Sequence, residues 1–165
     1  MELDEKLHRW AEHYFDNIIP GAEKKSKDPS TKVACIYTYE DYGIATICFN
    51  GFPRGVEDNP EKVPERYERP LKYMYTVHAE ANGIALACKH GVCFNNGKLF
   101  IKWHPCDKCA GQIVQSGIKD VIIDTDSKEY NDPNLSGGRW RESIEVAKII
   151  FNEAKINTYL FKRQK

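Results

Sequence analysis

Three short stretches of the 165-residue sequence carry side chains that could do chemistry together: His78-Ala79-Glu80, Pro105-Cys106 and Cys109. Written as one pattern they read H-x-E-x24-P-C-x2-C. Two cysteines three positions apart on a helix can turn both sulfurs toward one ion. His78 brings the protein ligands to three, one short of a closed tetrahedral structural zinc site. The open position admits water, and zinc makes such water acidic enough to serve as hydroxide near neutral pH. Both ligand groups open predicted helices, whose N-terminal dipole favours thiolate at the cysteines. Glu80, two residues past His78, suits a proton carrier better than a fourth ligand, first as general base and then as general acid.

Each fragment has a plainer explanation when taken alone. A single C-x-x-C in a cytosolic protein is often half of a structural zinc site or a redox pair, and an H-x-E on an apolar helix is often a satisfied core pair. Their occurrence in order, on two helix starts, points to catalytic zinc. A closed structural site needs a fourth ligand, and the other candidates are scattered. Cys35 and Cys48 fall in strands, where a small buried apolar role fits. Cys88 and Cys93 pack the end of a helix and the following loop. His8 and His13 lie on the first helix at the surface or an interface, and His90 suits a helix C-terminus. His104, directly before Pro105-Cys106, stays open as a ligand.

The elements that must position these residues follow from periodicity. Leu3, Leu7, Trp10, Tyr14 and Ile18 recur at helical spacing and predict an amphipathic helix over roughly the first eighteen residues. A lysine-rich loop then runs to Asp28-Pro29. Residues 33–37 and 44–49 read as strands, and the Glu40–Gly43 turn pairs them antiparallel. Four prolines and many charges make 50–75 a long functional loop. Residues 78–88 are small and apolar, as in a buried helix; 98–103 reads as a strand, and 106–116 as a helix that Gly117 ends. Residues 121–123 form a short buried strand, 138–154 a helix with Trp140, Ile144, Ala147 and Phe151 on one face, and 156–161 the last strand. Strands joined through helices predict an α/β three-layer sandwich with a mixed sheet, in one domain over 1–165.

Composition narrows the partners. Hydrophobic residues at 41% and aromatics at 12% suit a folded globular chain with a core of its own. Lys+Arg and Asp+Glu balance at 24 each, so no global basic field exists to hold a long nucleic acid. A small molecule is the better-matched partner. No apolar run approaches a membrane span, and the acidic Met1-Glu2-Leu3-Asp4 does not read as a signal peptide. Six cysteines in that context suit a reducing cytoplasm.

Five stretches, taken in order, resemble the cytidine deaminase superfamily and within it the deoxycytidylate deaminases. They are Ser26-Lys27-Asp28-Pro29 leading to Lys32-Val33, Asn50-Gly51-Phe52-Pro53-Arg54-Gly55, His78-Ala79-Glu80-Ala81-Asn82, Pro105-Cys106-Asp107-Lys108-Cys109-Ala110 and Gln115-Ser116-Gly117-Ile118-Lys119. The zinc signature is shared by deaminases of several bases, and the Asn-Gly-x-Pro-Arg-Gly loop points to the nucleotide enzymes. The resemblance implies a five-stranded mixed sheet flanked by helices. It also implies one Zn2+ per chain and hydrolysis of dCMP to dUMP, with Glu80 carrying protons to the ring nitrogen and the leaving amine. It puts Asn50 and Ala79 at the substrate, the Asn50 amide offering a donor and an acceptor to a sugar hydroxyl. Ser26, Lys32 and Tyr130 become the candidates for the phosphate, and Lys24, Lys25 and Lys27 could add positive potential. It further implies dCTP activation and dTTP inhibition with Mg2+, through Arg54, Asn82 and Lys89, and a homo-hexamer. Departures fall at Ala34-Cys35, at His104 and at Gly83, which stands where alanine is usual. Where some viral members carry ligands for a second zinc, this chain has Asp28-Pro29.

Two other functions are compatible with the same motifs. A tRNA adenosine or free-base deaminase would use the scaffold, but the balanced charge disfavours tRNA. A zinc-stabilised, non-catalytic binding module would leave Glu80 dispensable.

Overall fold

The computed structural model of the chain describes residues 2–133, 138 and 140–164. Its centre is a five-stranded sheet in the order β2-β1-β3-β4-β5, with β1 Ala34–Thr38, β2 Ile44–Phe49, β3 Lys98–Ile101, β4 Asp120–Asp124 and β5 Asn157–Phe161. β1 is antiparallel to both β2 and β3, whereas β3, β4 and β5 run parallel. This is the mixed sheet expected from a hairpin followed by helical crossovers.

Strand alternation sends side chains to two separate helical layers. Cys35, Tyr37, Leu99, Ile101, Val121 and Ile123 face one cluster, shared with helices α4 Ala79–His90, α5 Asp107–Gln115 and α7 Arg141–Glu153. Ala34, Ile36, Phe100 and Ile122 face the other, against Leu7, Ala11, Tyr14 and Phe15 of the N-terminal helical segment. Burial follows position in the sheet. All of β1 is buried between its neighbours, whereas Ile44, Ile47 and Phe49 of the edge strand β2 keep an exposed face.

The first helix differs from its sequence expectation. Asp4 caps α1 Glu5–His13 by accepting the Leu7 N–H at 2.7 Å. The helical path then continues past Ile18, through a π-helical turn at Tyr14–Ile18, into α2 Ile19–Glu23. Pro20 explains the shape: it has no N–H to donate and crowds the preceding turn, and the widened turn with Pro20 in the first turn of α2 accommodates both. Elsewhere the expected boundaries move by a few residues at most, and one short helix that the sequence does not mark, α6 Lys128–Asn131, follows β4. For the helix expected over 138–154, position 139 lies outside the described residues, and the described part is α7 with Trp140 at its cap.

The 50–75 segment is a loop carrying one 3-10 turn, Pro64–Tyr67, and one short helix, α3 Lys72–Tyr75. It is anchored at its far end by a buried ion pair. Lys72 Nζ lies 2.7 Å from Asp28 Oδ1, with the side chains 6% and 2% exposed. Burial pushes the Asp28 carboxyl up. Lys72 and the backbone N–H groups of Thr31 and Ser30 outweigh that and hold it below the usual carboxylate range. Lys72→Met would leave that carboxylate buried without its cation, so it is expected to cost about 3–5 kcal/mol in urea unfolding. A loss under about 1 kcal/mol would show that the anchor is not electrostatic.

Candidate active site

The site sits at one end of the sheet because several chain turns coincide there. Ala34 at the start of β1 pairs with Phe49 at the end of β2, and Cys35 pairs with Ile101 at the end of β3. Val33, Asn50 and the 102–106 segment therefore emerge side by side. The segment after β3 leads into α5, with Cys106 as its N-cap in extended backbone and Cys109 in its first turn. His78 is the N-cap of α4, and Glu80 lies in the first turn of that helix.

The three proposed ligands converge. His78 Nδ1 is 3.5 Å from Cys106 Sγ and 3.5 Å from Cys109 Sγ. Bonds of about 2.3 Å to sulfur and about 2.0 Å to nitrogen at a tetrahedral angle separate the ligand atoms by about 3.5 Å, so this donor set fits Zn2+. Among the described residues it is the one cluster of three or more such side chains that could hold a metal. His104 is not in it. Instead His104 packs its ring 5.7 Å from that of Tyr130, and burial pushes its imidazole down to about 4.

The electrostatics are those of crowded, buried groups sharing protons. The neighbouring Cys109 thiol, together with His78, holds Cys106 down to about 4, and the same Cys106 pushes Cys109 up. His78 rises to about 9, chiefly through its hydrogen bond to Cys106. A dication bound here must displace the protons that remain. Burial raises the Glu80 carboxyl, which is 3% exposed yet lines the cavity next to His78.

That cavity has Glu80, His78, Ala79 and Cys106 on one side, with Trp103, Trp140 and Tyr73 among its walls. The Trp140 ring meets those of His78 at 5.7 Å and Trp103 at 6.4 Å. Such walls suit a flat heterocycle, because aromatic faces favour stacking in a dry pocket. Asn50 borders the cavity with its amide fully engaged. Its oxygen accepts from Ser26 Oγ at 2.8 Å and Val33 N at 2.9 Å. Its NH2 donates to Thr31 O at 2.9 Å and, at 3.4 Å, to Asp28 Oδ2. A sugar hydroxyl would have to replace one of these bonds, and the long one to Asp28 is the weakest.

The expectation of direct phosphate contact by Ser26 needs correction. Ser26 is buried and its hydroxyl is donated to Asn50, so it acts on the site through Asn50. Tyr130 is absent from the cavity lining and touches His104, which does line it. Lys32 lies in an adjoining cavity of mixed charge, with Lys24, Arg69, Lys102 and Lys128 set against Glu23, Glu129 and Asp132, and Thr31 and Arg69 line both cavities. Arg54, Asn82 and Lys89 come together around a further cavity, with Lys25 and Lys27 nearby. Asn82 Nδ2 also donates to Phe49 O at 2.9 Å, tying α4 to the end of β2.

Sequence reasoning did not place Asp28, Lys72, Arg69, Trp103 or Tyr73 at the cavity, and set Trp140 only on one face of its helix. A signal existed only for Trp140: it starts the stripe continued by Ile144, Ala147 and Phe151, at the very start of that helix. The others are brought in by the loop before β1 (Asp28), by the 50–75 loop or by the turn after β3, whose paths no periodicity encodes.

Comparisons with known proteins agree with this geometry. The family described as the cytidine and deoxycytidylate deaminase zinc-binding region matches residues 8–125. An uncharacterized deaminase in the luxG 3' region of Aliivibrio fischeri is 32% identical over 150 residues, covering 91% of this chain and 92% of that one. The deoxycytidylate deaminase of Homo sapiens is 32% identical over 161 residues, covering 90% and 88%. In fold, the chain is similar to the dCMP deaminase of cyanophage S-TIM5 crystallised with dCMP and dUMP. The TM-score is 0.68 at 17% identity, covering 97% of this chain and 100% of that one.

If the three ligands hold zinc as their spacing allows, Cys106→Ala will lose the metal and some thermal stability, since metal binding and folding are coupled. Metal analysis of the purified variant checks this, and full occupancy would overturn the assignment.

Proposed function

This chain belongs to the family of cytidine and deoxycytidylate deaminases that share a zinc-binding region, and on that premise we propose that it hydrolyses dCMP to dUMP and ammonia. The observation that carries the reading is the buried Glu80 carboxyl lining the same aromatic-walled cavity as the His78–Cys106–Cys109 cluster. Zinc held by those three residues would acidify water to near neutrality, which is the chemistry a metal supplies at such a site.

The remaining work falls to side chains. Water adds to ring C4, the C4–N bond of the amino group breaks, and the water oxygen stays as the carbonyl of uracil. Glu80 takes the first proton from water and delivers it to N3, then takes the second and delivers it to the departing amine. A carboxyl raised by burial suits both halves of that task, because it holds a proton more readily than an exposed carboxyl does. Ala79, buried in the first turn of α4, closes the cavity beside the ring, and Trp140, Trp103 and Tyr73 exclude water around it. Asn50 orients the sugar by exchanging its bond to Asp28. Lys32 and Arg69, with Tyr130 beside His104, read the phosphate; the continuity of the two cavities through Thr31 and Arg69 supports this.

The same proposal includes regulation. The cavity of Arg54, Asn82 and Lys89 would take dCTP as activator and dTTP with Mg2+ as inhibitor, because a guanidinium forks onto phosphate oxygens. Assembly as a homo-hexamer is part of the reading, supported by the exposed Ile44, Ile47 and Phe49 along the edge strand. Among the described residues no helix is long and apolar enough to cross a membrane, and the unpaired cysteines suit a reducing, cytoplasmic setting.

Glu80→Gln keeps size and polarity but removes the proton carrier. It is expected to retain zinc and lower dCMP turnover by at least ~10²–10⁴-fold. A folded, zinc-loaded variant with near-normal turnover would revive the non-catalytic binding module.

A substrate panel tests the rest. The enzyme should prefer dCMP over deoxycytidine, CMP, dCTP and a tRNA anticodon stem, and Arg69→Ala should shrink the preference over deoxycytidine. In the same assay dTTP with Mg2+ should inhibit, and Arg54→Glu should relieve inhibition while sparing basal turnover. Equal use of dCMP and deoxycytidine refutes the phosphate site, and indifference to dTTP refutes the regulatory one.

A further inference from the structure

We propose that Tyr37 is a positioning residue for Glu80, and that Gly83 is required because it makes room for the Tyr37 ring. The proposal rests on the reading of Glu80 as proton carrier and adds what holds that carboxyl in place.

Tyr37 is wholly buried in β1, on the face that carries α4. Its ring stacks on Phe94, with centroids 4.4 Å apart and planes 10° from parallel. A phenol so placed must find a hydrogen-bond partner. It donates to the backbone carbonyl of Glu80 at 3.1 Å. That carbonyl belongs to the first turn of α4, where its second lone pair is free for a side-chain donor. The sheet thus grips the helix at the very residue whose carboxyl lines the cavity. Burial pushes the Tyr37 phenol well up, so it stays a donor throughout the working pH range.

Gly83 follows Glu80 by three positions and so shares its helix face. A Cβ placed there would lie 2.7 Å from Tyr37 Cδ2, and closer still to Cε2. No real Cβ tolerates such contacts, and the obstacle is a ring clamped by Phe94, not the loose end of a flexible chain. Glycine inside a helix is less favourable than alanine. Its presence here fits a helix that must lie close enough to the sheet for the phenol to reach the Glu80 carbonyl.

Placement errors near 1 Å can cost about 10²-fold in turnover, so loss of one tether should be visible in kcat. Tyr37→Phe keeps the ring and removes the hydroxyl. The measurements are kcat and KM on dCMP per zinc-loaded chain, well below the melting temperature, together with zinc content and Tm. Tyr37→Phe is expected to lower kcat about tenfold, with KM changed less than about twofold and zinc retained. Gly83→Ala should lower kcat comparably and also lower Tm. In a Tyr37→Leu background the same Gly83→Ala change should raise Tm, since the added methyl enters vacated space, while kcat stays low for want of the hydroxyl.

That reversal of sign is the signature of the ring–glycine contact, and a purely structural role would move Tm without moving kcat. Tyr37→Phe with kcat within about twofold of wild type overturns the proposal. Glu80→Gln is run alongside. If it is inactive while Tyr37→Phe is normal, only the positioning role fails; if it is active, the proton-carrier reading fails with it. Should Gly83→Ala not fold, Tyr37→Phe still decides.

Discussion

The structure depends on two helices beginning at the same point. His78 caps α4 and Cys106 caps α5, and the His78, Cys106 and Cys109 donor atoms meet only because both helix starts reach the same end of the sheet. Each N-terminus contributes partial positive charge from its unpaired N–H groups. That field favours thiolate and carboxylate in a place too dry to stabilise them otherwise. The order β2-β1-β3, with β1 antiparallel to both neighbours, sets the meeting point by bringing the end of β2, the start of β1 and the end of β3 together.

Around that point a buried polar network joins the apolar packing. Asp28 gathers Lys72, Ser30 and two backbone N–H groups, and its second oxygen reaches Asn50. Asn50 in turn holds Ser26, Thr31 and Val33. Buried networks of this kind are costly when half-satisfied and rigid when complete. This one is complete at Asn50, whose amide makes four hydrogen bonds. It fixes three otherwise independent loops, those before β1, after β2 and before α4.

The fold and the metal cluster were legible in the sequence for the same reason: both depend on short-range pattern. Two strand-like runs around the Glu40–Gly43 turn marked β1 and β2, a small-residue apolar run marked α4, and H-x-E with C-x-x-C marked the cluster. The cavity walls were not legible, because Trp103 and Arg69 sit on irregular segments and Tyr73 on the short α3 inside the 50–75 loop, where contacts distant in sequence set the course of the chain. Ser26 shows a subtler failure. A hydroxyl beside a candidate phosphate loop could face outward or inward, and only the Asn50 partner decides. Pro20 is the reverse case, a helix breaker in isolation that a π-helical turn accommodates in place.

Asp28, Asn50 and Thr76 line both the cavity of Glu80 and the cavity of Arg54. A partition common to two chambers obeys a thermodynamic symmetry. If occupancy of one chamber shifts Asn50, the affinity of the other changes, and the reverse effect must be equal in free energy. No long relay is needed, because the two spaces are separated by a single side-chain layer. Were a ligand to displace the bond between Asn50 and Asp28, that bond would be a coupling element, and its strength would set an upper bound on how much either chamber could communicate to the other through it.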